Sequence, residues 1–404
     1  MTVSNQGTFE YSYDAAGNRI AVTDSLGRTT LSTYDARNRL TRVTGPDPDG
    51  SGPLAPPVTS FGYDAAGNRT RVTDPLGRTT QTTYDPQNRV TAQILPDPDD
   101  AGPLTAPLTQ FQYDRAGQLT AVIDPVGNTT RYTYDNAGRL TRTTDPLGHT
   151  TLYQYDAADQ VVALTDRNGR TRTFSYNVLG LPTAEVWQDA VGNPVRTITY
   201  TYDDAGRLVT ATDPDSSYSY SYDLAGRLTQ VDNAGTPGVP HVVLSYSYDF
   251  GDNRTSVEDN LGVSIWYTYV DHRLVDLRMI SASRLLAAIE FAYDSIGRLT
   301  TVTRSAAADD PLIETTFTYD DADRLTAIAH ARVADGQSTP LLQLSYTFDA
   351  AGQITSFTGP EGTLNYSYDA TGQLIGVTGA RTESYRYDEN GNRTLPGYET
   401  GPGN

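Results

Sequence analysis

A short sequence pattern recurs along the whole chain and constrains the fold more than any other feature. Its first copy, Tyr11–Ile20, has two aromatic residues separated by one residue, then an Asp, a Gly three residues later, and an aliphatic residue. We count about seventeen copies at a base spacing of about 21 residues, and such a spacing is typical of small structural units that stack on one another. The second aromatic residue of each copy is Tyr13, Tyr34, Tyr63, Tyr84, Tyr113, Tyr134, Tyr155, Tyr176, Tyr202, Tyr222, Tyr248, Tyr269, Tyr293, Tyr319, Phe348, Tyr368 or Tyr387.

The copy around Asp135 shows how one repeat is built. Asp135 and Gly138 occupy the first and fourth positions of a predicted type I turn, after which a positive φ is expected. Such a turn with a glycine bulge joins two antiparallel strands. A second turn follows at Asp145, Pro146 and Gly148, where the fixed φ of Pro suits the second position. Each repeat is therefore predicted to contain two strands of roughly six residues and two tight turns.

Side chains alternate between polar and apolar along each predicted strand. Tyr132 and Tyr134 share one face of the sheet because strand side chains alternate with a period of two. In the first copy, Tyr11, Tyr13 and Ile20 are expected to share that face. An isolated hairpin is marginally stable, so neighbouring repeats must cover the apolar face together.

The same turn and face positions are predicted to have structural roles in the other copies. The residues chosen to represent them are Tyr13, Asp14, Gly17, Tyr63, Asp64, Gly67, Tyr134, Asp135, Gly138, Asp145, Pro146, Gly148, Tyr222, Asp223, Gly226, Tyr293, Asp294 and Gly297. In four copies the turn Gly is replaced by a residue that tolerates positive φ less well, namely Asn38, Asn88, Asp159 or Asp323.

A few copies depart from the pattern. The turn after Tyr248 is predicted to be one residue longer, and the hairpin after Tyr269, which lacks a turn Gly, is predicted to be degenerate. Insertions rich in Pro, Gly and Asp are predicted to be surface loops on one edge of the sheet. They include residues 45–53, 95–103, 185–194, 233–240, 305–311 and 333–340. For residues 278–290 we favour a longer hairpin, with a short helix as the alternative.

Two strands per repeat predict roughly 34 strands, and a twisted open sheet of more than about 10 strands curls or closes. We therefore predict an all-β fold: a long antiparallel up-and-down sheet of repeated hairpins, coiled into a spiral wall or partial hollow shell. Residues 1–404 are expected to form a single repeat unit, with repeats over about residues 8–395 and a flexible tail at 396–404.

Composition excludes several classes of function. The formal net charge is −19 and all basic residues are Arg, which argues against a nucleic-acid-binding surface. The chain has no Cys, so neither disulfides nor cysteine-based metal or redox sites are expected. No apolar stretch is long enough for a membrane-spanning helix, and the polar first ten residues do not predict a signal peptide.

The sequence contains no recognisable catalytic constellation. The recurring Asp could in principle supply an acid–base pair, but its position favours a turn role in which it accepts backbone N–H bonds. The four His have no metal-ligand spacing, and we find none of the common nucleophile or phosphate-binding motifs. We therefore expect no enzyme activity, no catalytic residue and no cofactor.

Two acidic loops resemble the start of a calcium-binding loop. The oxygen-bearing residues at alternate positions are Asp47, Asp49 and Ser51 in one loop and Asp97 and Asp99 in the other. Position twelve is Val58 or Leu108, however, where the complete motif has a bidentate Glu. A flexible acidic loop is the favoured interpretation, and no metal site is expected.

The order of these residues resembles the YD repeat of Rhs proteins. Tyr134 to Gly148 and Tyr63 to Gly77 both begin with Tyr-Asp-x-x-Gly and end with Thr-Asp-Pro-x-Gly. The repeat is also similar to those in toxin-complex shell subunits and in teneurins, and the resemblance covers about residues 8–395. It implies a long β-sheet that spirals into a hollow shell, which encloses a C-terminal toxin in bacterial members and forms a cell-surface scaffold in teneurins.

The resemblance favours a structural function for this chain. Bacterial shells are usually longer and end in a core motif around an Asp-Pro-x-Gly-Leu element, which is absent here, so we expect a segment of a larger exported protein, secreted or at the cell surface. The expected partners are an enclosed polypeptide or flanking parts of that protein, and open sheet edges predict self-association. The alternative is a secreted or surface binding module that contacts glycan or protein through its curved sheet or acidic loops. Neither nucleic-acid binding nor membrane insertion is expected.

Overall fold

The computed structural model describes residues 9–24, 27–47, 55–98, 105–189, 191–234, 236–305 and 312–394. Within these ranges the chain forms 33 β-strands and no helix, and hence no helix that could cross a membrane. The first eighteen strands are β1 (Glu10–Tyr13), β2 (Arg19–Thr23), β3 (Thr29–Tyr34), β4 (Leu40–Thr44), β5 (Val58–Tyr63), β6 (Arg69–Thr73), β7 (Thr79–Tyr84), β8 (Val90–Ile94), β9 (Leu108–Tyr113), β10 (Leu119–Ile123), β11 (Thr129–Tyr134), β12 (Leu140–Thr144), β13 (Thr150–Tyr155), β14 (Val161–Thr165), β15 (Thr171–Tyr176), β16 (Pro182–Gln188), β17 (Pro194–Tyr202) and β18 (Leu208–Thr212).

The remaining strands are longer in places. They are β19 (Ser217–Tyr222), β20 (Leu228–Asp232), β21 (Val243–Tyr248), β22 (Arg254–Asp259), β23 (Val263–Val270), β24 (Arg273–Ser281), β25 (Arg284–Tyr293), β26 (Leu299–Ser305), β27 (Leu312–Tyr319), β28 (Leu325–Ala334), β29 (Gln337–Phe348), β30 (Ile354–Gly359), β31 (Gly362–Tyr368), β32 (Leu374–Gly379) and β33 (Glu383–Ser384). Each strand pairs antiparallel with the next one in the chain, from the first pair to the last. The predicted all-β, up-and-down sheet is therefore confirmed, and it is not closed.

The turn between the two strands of a repeat, which we call the first turn, has one geometry along most of the sheet. At Asp135, the Gly138 N–H donates to the Asp135 carbonyl at 3.0 Å, and the Asp135 N–H donates to the Arg139 carbonyl at 3.0 Å. Gly138 has a φ of 86°, a conformation that costs L-residues with a Cβ roughly 1–2 kcal/mol. The turn is therefore a type I turn completed by a residue in the left-handed region.

This turn introduces a bulge into every such hairpin and thereby shifts the alternation of side chains. In the first copy Tyr11 pairs with Val22, but Tyr13 pairs with Arg19, and Ile20 has no partner in the register. The prediction that Ile20 shares the face of the two aromatic residues was therefore wrong. A strict period of two holds only up to the bulge, and the predicted faces did not take the extra residue of the bulge into account.

Residues other than Gly occupy the left-handed position in several turns, as predicted. The four are Asn38, Asn88, Asp159 and Asp323, with φ between 59° and 64°. In the copy after Tyr248, Asp252 takes this position with a φ of 63°, so the turn from Asp249 to Asn253 has the usual length. The prediction of a longer turn was wrong because Gly251 was taken for the left-handed residue.

Two-residue turns replace predicted loops in the later repeats. Asp271 and His272 both have positive φ, as do Ala282 with Ser283 and Asp335 with Gly336; two consecutive residues of this kind form the type I′ turn of tight hairpins. The hairpin after Tyr269 is thus fully paired rather than degenerate. Residues 278–290 form the favoured hairpin. The loop predicted at 333–340 lies mostly in paired strands, and the loop predicted at 185–194 is shortened to a turn because residues 185–188 and 194 are paired. Small polar residues suit both kinds of connection, so composition alone does not separate them.

The sheet coils past itself after 21 strands. The turn after β25 contacts the connection after β4, where the Ser295 hydroxyl donates to the Asp47 carbonyl at 2.7 Å. The same offset brings the Ala350 N–H to the Pro98 carbonyl at 3.3 Å, and the Asn390 amide to Asp145 Oδ2 at 2.8 Å. We call this line of contacts the seam. It confirms the predicted spiral wall.

The coil is a single-layered wall with very few fully buried side chains. Among the described residues, the buried apolar side chains are Ala121, Val302 and Val377. The accessible surface is 24012 Å², whereas a compact monomer of this mass would expose about 15,000 Å². The excess indicates a sheet with two exposed faces rather than a filled core.

The turn geometry makes a testable prediction about Gly148. It has a φ of 87°, and an added Cβ would meet no atom within 4 Å, so Gly148→Ala should act through backbone strain alone. We expect this substitution to lower the free energy of unfolding by about 1 kcal/mol, and Gly148→Asn to lower it less, since Asn tolerates the left-handed region. Urea unfolding of the three proteins measures both values. Equal stability of the Ala variant and the wild type would contradict the assigned turn conformation.

Candidate functional site

The side chain of the repeated Asp holds the first turn together. Asp135 Oδ1 accepts hydrogen bonds from the N–H groups of Ala137 (2.9 Å) and Arg139 (3.0 Å), and Oδ2 accepts one from Arg139 Nε (2.8 Å). Short polar side chains at turns commonly satisfy nearby backbone donors in this way. The same two backbone hydrogen bonds, from the N–H groups two and four residues later, are accepted by Asp14, Asp223 and Asp294. Asp64 accepts the bond from the N–H group four residues later.

The Arg of the turn reaches into the next repeat. Arg139 Nη1 donates to the carbonyl of Asp156 at 2.9 Å, and its guanidinium lies 4.8 Å from the ring centroid of Tyr155. The Tyr155 hydroxyl in turn donates to the carbonyl of Leu140 at 2.7 Å. One Arg thus joins the turn Asp, the next turn and the next aromatic ring. We call this arrangement the inter-repeat clamp.

The clamp recurs along the sheet with little variation. In seven places the guanidinium lies 4.5–4.9 Å from the ring of the next repeat. The pairs are Arg39 with Tyr63, Arg89 with Tyr113, Arg139 with Tyr155, Arg207 with Tyr222, Arg227 with Tyr248, Arg298 with Tyr319 and Arg324 with Phe348. Backbone carbonyls of the preceding repeat accept hydrogen bonds of 2.8–2.9 Å from the hydroxyls of Tyr63, Tyr134, Tyr222 and Tyr293.

Some repeats lack the Arg and use a shorter link. In the copy at Asp64, the Asn68 amide donates both to Asp64 Oδ2 (2.9 Å) and to Asn88 Oδ1 (2.8 Å). The connection between turns is kept without the stacked guanidinium. The aromatic pattern alone did not show the role of the Arg, although an Arg four residues after the Asp recurs often enough in the sequence to have indicated it.

Hydrogen bonds stabilise the ionised form of the turn carboxylates Asp135 and Asp35. The pKa of Asp135 lies below its usual value because it accepts hydrogen bonds from the backbone and the side chain of Arg139. The Arg39 side chain lowers the pKa of Asp35 to about 2. Burial raises the pKa of Tyr134. The arrangement therefore provides fixed acceptors and neutral phenols, which suit a scaffold.

The second turns, which lead from one repeat to the next, lie on the opposite edge of the sheet. Asp145 begins such a turn, with Pro146 in second place and Gly148 in the left-handed region. Asp145 Oδ1 accepts from the His149 N–H at 2.8 Å, while Oδ2 accepts from Asn390 across the seam. A second turn therefore contributes to both the hairpin and the coil.

The calcium-loop candidates are only partly described by the structure. Asp47 and Asp97 lie at the ends of described ranges, and Asp49, Ser51 and Asp99 lie outside them. No group of three or more His, Cys, Asp or Glu suited to a metal ion is found within the described ranges. The expectation of no metal in these loops stays a prediction.

Comparison with known proteins identifies the repeat. The RHS Repeat family model matches residues 7–50, 59–98, 113–151, 137–171, 155–186, 189–218, 202–237, 348–384 and 368–395. The chain belongs to the RHS repeat family. No curated protein matches the chain.

Two toxin-complex structures are similar in fold to this chain. The Tc holotoxin pore of Photorhabdus luminescens aligns over 95% of this RHS repeat chain and 25% of its own, with a TM-score of 0.67 and 17% identity. The TcdB2-TccC3-TEV structure aligns over 96% of this chain and 27% of its own, with a TM-score of 0.51 and 16% identity. The chain thus spans about a quarter of the length of these structures. At this level of identity, the likeness establishes the fold alone.

The inter-repeat clamp predicts a loss of stability when its Arg is removed. Arg139→Leu should lower the free energy of unfolding by about 1–2 kcal/mol, since a partly exposed ion pair, a hydrogen bond and a stacked guanidinium are lost together. Leu181 occupies this position in a natural repeat, so the substitution is compatible with the turn. Chemical unfolding measures the effect, with Arg142→Leu, at an exposed position of the following strand, as the matched control. An equal effect of both substitutions would show that the clamp does not contribute.

The lowered carboxylate pKa values predict acid sensitivity. A group with a depressed folded-state pKa stabilises the fold above its unfolded pKa, and this contribution is lost as the pH falls through the folded pKa. For Asp35 the window runs from about 3.9, the unfolded value, to about 2. We expect the melting temperature to be nearly constant from neutral pH to about pH 5 and to fall steeply below about pH 4. A melting temperature that fell mainly between pH 8 and 6 would contradict this explanation.

Proposed function

We propose that this chain is a non-enzymatic wall segment of an Rhs-type shell that encloses or displays a polypeptide. The observation that carries the proposal is the continuous single-layered sheet, which coils past itself after 21 strands at the contact between Ser295 and Asp47. A wall of this kind separates an inner space from solvent. The clamps and the seam give it stability without a filled core.

The size of the coil supports enclosure of a chain that is not folded into a domain. Twenty-one strands at about 4.8 Å spacing give a circumference of about 100 Å, and hence a backbone diameter of about 30 Å. A folded domain of 100 residues has a radius of gyration of about 13 Å, or a diameter slightly over 30 Å. Side chains narrow the space further, so an extended polypeptide fits and a folded domain of that size does not.

The structural neighbours support a place within a larger assembly. Their names describe a Tc holotoxin pore and a TcdB2-TccC3 complex, and this chain aligns with only about a quarter of each. The proposed partners are therefore flanking parts of a larger Rhs protein and the polypeptide it encloses. On this proposal the chain acts as a single repeat unit of an exported protein, secreted or at the cell surface.

Exposed aromatic side chains favour recognition as a second candidate function. Trp187 and Trp266 are both exposed on the sheet, and exposed tryptophan is enriched at recognition surfaces. On this alternative the curved sheet binds a glycan or a protein. The Trp187 indole N–H donates to Glu185 Oε1 at 2.7 Å, as part of a hydrogen-bond network on the sheet surface. This bond gives Trp187 a structural role that explains its presence without a ligand.

Direct imaging of shape tests the shell proposal. Negative-stain electron microscopy of the full chain should show particles that are ring-shaped along the coil axis, with a stain-filled centre. A flat ribbon or a filled globule would contradict the proposal. In parallel, the chain should bind no glycan on a glycan array. Glycan binding that is lost in the Trp187→Ala variant would favour the recognition function instead, provided that it is retained in Leu31→Ala, a control variant at another exposed side chain.

A further inference from the structure

The two faces of the sheet differ in chemistry. In an antiparallel pair, directly opposite residues lie on the same face, and neighbours along a strand alternate between the faces. Tyr132 pairs with Thr143 on one face, and Thr133 pairs with Arg142 on the other. We call the first the aromatic face and the second the Thr face. Following the register from strand to strand assigns the other paired residues to one of these two faces.

A row of exposed Arg and Gln side chains crosses the Thr face from β4 to β12. We call this row the Arg/Gln strip; its members are Arg42, Arg71, Gln81, Gln110, Gln112, Arg131 and Arg142. No acidic residue accompanies them, since Glu185, the one acidic strand residue from β2 to β19, lies on the aromatic face opposite Phe174. Each strand from β4 to β12 is paired on both sides, so the exposure of the strip does not depend on an edge of the sheet.

The four Arg of the strip lack a carboxylate partner. None of them takes part in an ion pair with the described residues. Arg42 Nε and Arg71 Nη2 each lie 3.4 Å from a Thr hydroxyl, which is longer than the usual N–H···O range. In the inter-repeat clamps, by contrast, the Asp of the same turn pairs with the guanidinium, as Asp135 does with Arg139. The strip therefore presents guanidinium donors to solvent.

Cavities adjoin two of these Arg side chains. One, of about 530 Å³, is lined by Arg71 and Gln81 among others, and its lining contains no acidic residue. The other, of about 370 Å³, is lined by Arg131 together with Asp145 and Glu389, although Arg131 forms an ion pair with neither. The cavity at Arg71 is thus the more favourable of the two for a carboxylate.

Further along the coil, the Thr face has the opposite charge. The acidic residues that β20 to β27 place on it are Asp232, Glu258, Asp276, Glu290 and Glu314. Arg278 lies among them and pairs with Asp276 at 3.0 Å. The strip is therefore a separate positive region on a face that is negative elsewhere, in a chain with a formal net charge of −19. Such local separation of charge favours a partner with complementary charge.

We propose that the Arg/Gln strip binds an acidic segment of the polypeptide that the wall encloses or displays. The inference rests on the proposed function for the class of partner, and it adds the place and the charge of the contact. Guanidinium groups bind carboxylates with two parallel hydrogen bonds. The amides of Gln81, Gln110 and Gln112 can donate to and accept from a peptide backbone. The strip extends over eight strand spacings, or about 38 Å, which an extended segment of about 12 residues covers.

A nucleic acid suits the strip less well than an acidic peptide. Nucleic-acid sites need a basic surface that neutralises closely spaced phosphates, whereas the strip has four Arg over about 38 Å. The net charge of −19 also repels a dense polyanion more strongly than a peptide with a few carboxylates. The separation between the two Arg near β5 and the two near β12 fits carboxylates placed at the two ends of a short segment.

Binding of a designed peptide to the full chain tests the proposal. The labelled probe has about 12 residues, with two Glu near each end and an uncharged Gly-Ser segment between them that spans about 24 Å when extended. One control peptide has Gln in place of Glu, and a second has the four Glu side by side. A single-stranded oligonucleotide of similar length is the third probe. Fluorescence anisotropy at low and at high ionic strength measures the affinities.

Two variants with the same change in net charge locate the site. The strip variant carries Arg42→Gln, Arg71→Gln, Arg131→Gln and Arg142→Gln, and Gln81 shows that this face tolerates Gln. The control variant carries Arg115→Gln, Arg284→Gln, Arg332→Gln and Arg386→Gln, at four exposed positions outside the strip. Circular dichroism and the melting temperature of each variant verify that it is folded.

We expect the wild type and the control variant to bind the spaced acidic peptide more tightly than either control peptide. The strip variant should bind it about tenfold more weakly, since four surface ion pairs are lost, and salt should weaken the wild-type affinity by screening. Absence of acidic-peptide binding, or an equal loss in both variants, overturns the proposal. Tighter binding of the oligonucleotide than of the peptide overturns the assignment of a polypeptide partner.

This result is independent of the shape test of the shell. Ring-shaped particles that bind no acidic peptide would overturn the role of the strip and leave the proposed wall function intact. Flat particles whose peptide binding is lost in the strip variant would overturn the shell and leave the acidic-peptide site intact.

Discussion

The contact of one Arg with the following repeat is the interaction on which the rest of this structure depends. A hairpin of two short strands buries too little apolar surface to be stable alone. In the inter-repeat clamp, Arg139 is held by Asp135 and reaches both the carbonyl of Asp156 and the ring of Tyr155. Each such link is worth about 1 kcal/mol, and it gains its importance by being repeated along an uninterrupted ladder of strands.

The coil follows from the same repetition. Each hairpin carries the same bulge after its first turn, and bulges increase local twist and bend the sheet. Because the bend per strand is nearly constant, the sheet meets an earlier part of itself after a fixed number of strands. The contacts of Ser295, Ala350 and Asn390 all join connections that lie 21 strands apart. The local geometry of the hairpins thus determines the shape of the wall. Few side chains are fully buried because the sheet encloses a space and not a packed core.

The parts of the fold that depend on neighbouring residues in the sequence were predictable. Asp135 and Gly138 define a turn by their own conformational preferences, and their recurrence predicts a long coiled sheet. A bulge was predicted together with the turn, but the loss of alternation at Ile20 was not, because composition does not show which residue the bulge adds to the strand. The tight turn at Asp335 was taken for a loop, since the same residue types suit both.

The pattern of a single repeat could not predict the contacts between neighbouring repeats or between successive coils of the sheet. The partner of Arg139 lies in the next repeat, so the pattern within one repeat does not show it, although the recurring Arg was a usable signal. The contact of Ser295 with Asp47 depends on the accumulated bend of 21 strands, and small differences in twist would change that number. Assignment to the RHS repeat family agrees with both the local and the accumulated geometry.

The most direct test of the central claim is a double-mutant cycle across one inter-repeat clamp. Arg139→Leu, Tyr155→Leu and the double variant are unfolded in urea, and the coupling free energy between the two side chains is calculated. The clamp predicts a favourable coupling of about 0.5–1 kcal/mol, the range measured for stacked cation–aromatic pairs at exposed sites. Additive effects of the two substitutions, with no coupling beyond experimental error, would contradict the claim that neighbouring repeats are held together through this contact.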